Sequence, residues 1–382
     1  MTRTLVITND FPPRPGGIQA YVLGMLREQP ADDVVVLASR WKGWEAFDAE
    51  LPYAVVRHPT SVLLPTTGVA ARARELAQAH DCTRVWFGAA APLGLLARGL
   101  RRHGVERVVA TTHGHEVGWA ALPGSRQALR RIGSAVDVVT YLGAFTQSRL
   151  APAFGPQPAA ALLPGGVDTD TFHADPGARA DVRQRYGLGA DQPVVVCVSR
   201  LVPRKGQDRL IRALPALRAR IPGTALLLVG GGPDRDRLTR LARAAGVGDH
   251  VVITGSVPWE DLPRCYAAGD VFAMPCRSRR AGLEVEGLGI VYLEAAATGL
   301  PVVAGDSGGA PDAVLPGETG VVVDGTDLDA ITRAVGDLLA DPARAAAMGA
   351  AGRAWTERAW TWSILGARWR AIVTGDQSFG EE

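Results

Sequence analysis

The residues best suited to chemistry lie in one stretch, Glu286-Gly287-Leu288-Gly289-Ile290-Val291-Tyr292-Leu293-Glu294, where seven residues separate two glutamates. A helix beginning near Leu288 would carry Glu294 about two turns in and leave Glu286 in the loop before it. Eight residues at ~1.5 Å each span roughly 12 Å, close to the length of a sugar diphosphate. Exposed amides around Gly289 would point at its phosphates. The carboxylates would then hold hydroxyls at opposite ends, one on a sugar and one on a ribose. Two solvated surface acids are the alternative, although Ile290, Val291 and Leu293 make a purely solvated Glu294 the poorer description.

A second cluster is cationic: Ser199-Arg200-Leu201-Val202-Pro203-Arg204-Lys205-Gly206 follows an apolar run and precedes a helical one. Arg200 and Lys205 beside a helix N-terminus make a diphosphate clamp, a planar fork plus a point charge. A solvated basic loop is the other reading.

Near the N-terminus, Asn9-Asp10-Phe11-Pro12-Pro13-Arg14-Pro15-Gly16-Gly17 joins a first strand to a helical run. Glycine lets backbone approach a ligand, and helix N-termini offer free N–H groups. A plain strand-to-helix turn fits as well. Thr112-His113-Gly114-His115-Glu116 follows another strand. Zinc would need a further ligand, and none is evident nearby. A polar active-site loop suits the imidazoles better, since they can hydrogen-bond sugar hydroxyls or phosphate oxygens. Asp168-Thr169-Asp170 and Asp234-Arg235-Asp236 imitate DxD metal motifs, but the cationic cluster already supplies positive charge, so the expectation is no metal.

These loops need strands to hold them. Short apolar runs at 5–8, 34–37, 54–57, 84–87, 107–111, 136–140 and 160–163 alternate with helical patterns at 17–27, 67–80, 92–102 and 126–132. The second half repeats this: strands at 193–198, 225–229, 251–254, 271–274, 302–304 and 321–323, helices at 207–220, 235–245, 290–298 and 328–339. Consecutive apolar positions imply burial on both sheet faces, hence parallel sheets covered by helices. The expected fold is α/β: two doubly wound Rossmann-like domains facing a cleft, residues 1–166 and 167–355, with 356–382 as a C-terminal helix returning to the first domain. Trp360, Trp362 and Trp369 would form its docking stripe. Gly230-Gly231-Gly232 is expected as a tight turn rather than a dinucleotide loop, because Arg235 occupies the last glycine position of GxGxxG and no acid ends the next strand. A dehydrogenase is therefore disfavoured.

Composition agrees with a two-domain globular protein: 382 residues, 47% hydrophobic, 21% charged and net charge +2. That balance does not call for nucleic acid, and no apolar run approaches the ~20 residues of a membrane span. A cytoplasmic location is expected. Cys82, Cys197, Cys265 and Cys276 show no metal-site spacing and read as free thiols. From Arg98 to Arg131 there are seven arginines and only two acids, Glu106 and Glu116. Such a patch could meet anionic headgroups or be a solvated face.

Together, the Gly16-Gly17 loop, His113, the linker at 164–172, Arg200 with Lys205-Gly206 and the Glu286/Glu294 pair resemble the retaining GT-B glycosyltransferases of family 4 across nearly the whole chain. Within it, the wording around Phe11-Pro12-Pro13, Thr112–Glu116 and 282–289 is most similar to actinobacterial GDP-mannose-dependent phosphatidylinositol mannosyltransferases. The resemblance implies mannose transfer from GDP-mannose to a phosphatidylinositol mannoside, α-1,6 on inositol, without cofactor or metal, on the inner face of the membrane. It implies a catalytic set of His113, Arg200, Lys205 and Glu286. Gly16, Gly17, Ser256, Val257, Gly287, Leu288, Gly289, Ile290 and Glu294 would complete the nucleotide-sugar site. Glu286 would bind mannose, Glu294 the ribose, and backbone near Ser256 and Val257 the base. Asp10 and His115 would meet the acceptor. The family often has Glu-Pro-Phe-Gly where this chain has Glu286-Gly287-Leu288-Gly289. A different sugar nucleotide with a soluble acceptor, or a non-catalytic sugar-nucleotide binder, are the competing readings.

Overall fold

The computed structural model describes residues 3–282 and 284–376. The chain divides into two compact units, one formed by 1–166 with 362–382 and the other by 167–361.

Unit 1 holds seven strands: β1 (Arg3–Thr8), β2 (Val34–Ser39), β3 (Ala54–His58), β4 (Cys82–Phe87), β5 (Arg107–Thr111), β6 (Val138–Tyr141) and β7 (Ala159–Leu162). They pair in parallel in the order β3-β2-β1-β4-β5-β6-β7. Strand side chains alternate between faces. Leu5 and Ile7 enter one buried cluster with Val85, Phe87 and Leu129. Val6 enters another with Trp86, Met25 and Trp369. Covering both faces is why the strands read as unbroken apolar runs. Unit 2 repeats the design with β8 (Val194–Val198), β9 (Ala225–Val229), β10 (Val251–Ile253), β11 (Val271–Met274), β12 (Val302–Gly305) and β13 (Gly320–Val323), in the order β10-β9-β8-β11-β12-β13.

Each strand order reverses direction once, beside β1 and β4 in the first sheet and beside β8 and β11 in the second. Ligands of open α/β sheets gather at the carboxyl ends of strands flanking such a switch point. The Asp10–Gly17 and Arg200–Lys205 segments follow β1 and β8 respectively, so both stand there.

Several helices escape the periodicity reading, among them Trp44–Ala49, Ala144–Phe154, Pro176–Arg185, Leu262–Ala267 and Pro342–Ala359. Two of these are only six residues long, and Pro152 interrupts a third. The C-terminal segment also differs from expectation. Position 356 lies inside Pro342–Ala359, which belongs to unit 2, and a separate helix, Trp362–Thr374, belongs to unit 1. The tryptophan stripe is split accordingly. Trp360 packs on Trp355 with centroids 5.2 Å apart, whereas Trp369 meets Trp86 edge-on at 5.1 Å. Close approach of Trp362–Thr374 to Gly17–Arg27 depends on two small residues: a Cβ at Gly24 would lie 2.5 Å from the Trp362 ring, and one at Gly366 would overlap Glu28.

Candidate active site

In unit 1, β5 ends on a buried hydroxyl network. Trp86 Nε1 and Thr140 Oγ1 donate to Thr111 Oγ1 at 2.8 and 2.7 Å, and Thr112 Oγ1 donates to the Thr140 carbonyl at 2.9 Å. These bonds hold the start of the His113–Glu116 loop. His113 Nε2 lies 2.6 Å from the Gly88 carbonyl just beyond β4. A carbonyl only accepts, so Nε2 carries the proton. Burial pushes the imidazole down to about 4, against the Gly88 hydrogen bond, which favours the charged form. The ring is therefore neutral at physiological pH, with an unprotonated Nδ1. Tyr21 meets it edge-on at 5.0 Å, and His115 stacks nearly parallel at 6.4 Å.

Asp10 is fixed from two sides: its N–H donates to Thr8 Oγ1 at 2.9 Å, and Gln19 Nε2 donates to its Oδ1 at 2.9 Å. Burial raises its pKa, while Arg14 and His115 oppose that shift. Gly17 begins the helix Gly17–Arg27 and has open space around its Cα, since a Cβ there would meet nothing within 4 Å. Gly16 is tighter, because a Cβ would overlap the Gln19 side chain.

In unit 2, Lys205 and Arg204 converge on one carboxylate oxygen. Lys205 Nζ is 2.7 Å and Arg204 Nη1 2.6 Å from Glu286 Oε2. Lys205 is 8% exposed, and Glu286 is also buried. The turn presenting Lys205 is held by Gly206, at φ +83°, where a Cβ would overlap the Pro275 carbonyl. Arg277 adds a backbone N–H to the Arg204 carbonyl at 2.9 Å and a bidentate pair with Asp208 at 2.9 and 3.0 Å. Arg200, expected to join Lys205 on a diphosphate, is exposed and makes no ion pair among the described residues. Arg204 shares the Glu286 carboxylate with Lys205.

The glutamate stretch departs from the expected ruler. Its helix is Ile290–Ala297, with Gly289 as N-cap at φ +82°. Glu294 is thus the fifth helical residue, little more than one turn in, and Glu286 lies in irregular chain. Residues 286–289 are not helical, so the helical span of roughly 12 Å between the two glutamates does not form. The Glu286 backbone is pinned instead by the loop Ser307-Gly308-Gly309. Gly309 N–H donates to the Glu286 carbonyl at 2.9 Å. Gly308 has φ +63°, and a Cβ there would overlap the same carbonyl. Its signal was available, since Gly308-Gly309 follows an apolar strand just as Gly16-Gly17 does.

Glu294 Oε2 accepts from Tyr266 Oη at 2.5 Å. Burial raises the carboxyl to about 7, and the tyrosine bond pulls it back only partly. Ser256 and Val257 follow β10 beside the triglycine turn: Gly230 and Gly255 form an antiparallel bridge, and a Cβ at Gly231 would overlap Ser256 Oγ. The first aspartate of each DxD-like triplet has partners within unit 2. Asp168 accepts from the Asp170 and Thr171 amides, and Asp234 pairs with Arg237 at 2.6 Å. The four cysteines are free and buried. Among the described residues, no helix is long and apolar enough to cross a membrane.

Two family models match the chain, one described as Glycosyltransferase Family 4 over residues 15–171 and one as Glycosyl transferases group 1 over 178–355. A GDP-mannose-dependent alpha-(1-6)-phosphatidylinositol monomannoside mannosyltransferase from Mycolicibacterium smegmatis is 60% identical over 97% of this chain and 98% of the relative. A protein of the same name from Mycobacterium tuberculosis is 54% identical over 99% of this chain and 100% of its own. The chain belongs to glycosyltransferase family 4. This family 4 enzyme has the GT-B fold, two Rossmann-like α/β units with a C-terminal helix. The crystal structure of Anabaena Alr3699/HepE in complex with UDP shares that fold, with a TM-score of 0.81 at 20% identity, covering 98% of this chain and 100% of that one.

In this glycosyltransferase, five of the seven arginines of the 98–131 segment (Arg98, Arg102, Arg126, Arg130 and Arg131) are exposed. Arg101 is taken by Asp137 at 2.5 Å and Arg107 by the Ile372 carbonyl at 2.8 Å. Leu122 is 64% exposed at the start of the helix Pro123–Gly133, which carries Arg126, Arg130 and Arg131.

Proposed function

We propose that the protein transfers mannose from GDP-mannose to phosphatidylinositol monomannoside, with retention at the anomeric carbon, forming an α-1,6 linkage on inositol. The observation carrying this reading is the convergence of Lys205 and Arg204 on Glu286, beside a helix N-terminus opened by Gly289. Its support also includes the high identity, over nearly full length, to enzymes named for that reaction.

In this reaction the bond between the anomeric carbon and the donor phosphate oxygen breaks. The acceptor hydroxyl attacks the same face, and its proton passes to the departing diphosphate. Lys205 and Arg200 offset the charge growing on that diphosphate, an electrostatic task for preorganised cations. Amides at Gly289 and Ile290 add partial positive charge. Gly16 and Gly17 offer backbone N–H groups to phosphate oxygens. Glu286 accepts from mannose hydroxyls while its other interactions keep Lys205 in place. Glu294, oriented by Tyr266, accepts from the ribose, and backbone at Ser256 and Val257 reads the base. His113 accepts a donor-sugar hydroxyl through Nδ1. Asp10 and His115 meet the acceptor.

The exposed arginines support a peripheral position on an anionic membrane surface, where each charge would be worth ~1 kcal/mol. The test combines transfer of radiolabelled mannose from GDP-mannose to the monomannoside lipid with co-sedimentation on anionic vesicles at low salt. Transfer to the lipid and retention of the protein on vesicles are expected. Transfer only to soluble acceptors, with no vesicle binding, would replace this reading by a soluble-acceptor enzyme.

A further inference from the structure

One buried charge in the β5 loop has no place in the proposed reaction. Glu116 is 0% exposed. Its Oε2 accepts the His113 backbone N–H at 3.0 Å. Its Oε1 is buried and lacks a hydrogen-bond partner among the described residues. What faces Oε1 is His115 Nε2, 3.4 Å away on a ring 44% exposed. A buried carboxylate oxygen without a partner is costly. A small rotation of the half-exposed imidazole brings Nε2 into hydrogen-bond distance and satisfies it.

We propose that Glu116 is a positioning residue: it holds His115 as the Nε2–H tautomer, so that His115 Nδ1 accepts a hydrogen bond from a hydroxyl of the acceptor glycan. The inference rests on the reading of His115 as an acceptor-side residue. Burial raises the Glu116 pKa, opposed by His115 and by the backbone N–H groups of Glu116, His113 and Gly114; Oε1 is an acceptor by its chemistry. Other groups facing His115 are Asp10, with Arg14 beside it, and the stacked His113. Asp10 is not within ion-pair distance of His115 among the described residues, and its Oδ1 is engaged by Gln19. The two parallel histidines then share one logic. Each turns Nε2 toward a fixed oxygen, hydrogen-bonded to Gly88 O for His113 and 3.4 Å from Glu116 Oε1 for His115, which leaves Nδ1 of each for a substrate hydroxyl. The partner class of His115 is thus a polyhydroxylated ring, not a phosphate.

Imidazole ¹⁵N spectra of the full-length protein at about pH 8, where free histidine is neutral, decide the tautomer. The Nε2–H form of His115 is expected, and the Nδ1–H form would overturn the proposal without any variant. In Glu116→Gln the amide carbonyl keeps the His113 N–H, while the NH₂ group faces His115 and forces the Nδ1–H tautomer. The acceptor KM then rises about tenfold, as for one lost hydrogen bond, with GDP affinity unchanged by calorimetry. A folded Glu116→Gln protein with unaltered His115 spectrum and acceptor KM would also overturn it. Wild-type enzyme that fails to use the mannoside lipid at all removes the proposed function and leaves the tautomer result standing.

Discussion

Lys205 Nζ stands 2.7 Å from Glu286 Oε2, the same oxygen that Arg204 reaches at 2.6 Å. Two cations against one carboxylate leave the cluster positive and keep the lysine extended toward it. The carboxylate is not stranded by loss of either cation alone, which separates catalytic loss from unfolding.

Lys205→Ala should lower kcat by roughly 10²–10³, the usual cost of one preorganised charge-stabilising donor. Arg204 still satisfies Glu286, so circular dichroism and GDP-free thermal unfolding should show a folded protein. Arg200→Ala should show a comparable kinetic loss with almost no stability change, because the side chain is exposed. Steady-state turnover of both variants within tenfold of wild type would discard the clamp.

Glu294 makes stability depend on pH. Its carboxyl is raised from 4.5 to about 7, chiefly by burial. The folded state therefore holds a proton that the unfolded chain releases above about 4.5. The resulting stabilisation is complete below that value and lost as pH rises through about 7. Urea unfolding of wild type and Glu294→Gln at several pH values from 5 to 8 isolates this group from others such as His113. The wild-type stability, relative to the variant, should fall steadily across the window. A constant difference would show that Glu294 does not titrate there.

Trp369→Ala should destabilise unit 1 by about 3–5 kcal/mol, the range for emptying a buried aromatic site. The ring is 2% exposed and packs on Trp86. The melting temperature should drop by roughly 10 °C for a unit of this size. Trp360→Ala should leave unit 1 unaffected, since that ring packs on Trp355 in unit 2. Equal losses from both, measured by hydrogen exchange within unit 1, would contradict this assignment.

The strands were legible because β1 and β8 are apolar at consecutive positions, a pattern that burial on both sheet faces requires. The glycine, histidine and arginine–lysine loops were legible because they directly follow apolar strands, β1, β5 and β8 respectively. Which charges touch was not. Arg200 and Arg204 are equivalent in composition, and only the Pro203–Lys205 turn, held by Gly206 at positive φ and by the Arg277 N–H, aims Arg204 at Glu286. The start of the glutamate helix was misplaced for a similar reason. Gly308 and Gly309, from a distant strand end, pull residues 286–287 out of helical geometry. The residue types and their order along the chain determined the fold and the kind of chemistry. Tertiary structure decided the pairing of charges, the protonation of His113 and Glu294, and the split of the tryptophan stripe. Those depend on burial and on contacts between segments remote in sequence, which local periodicity does not encode.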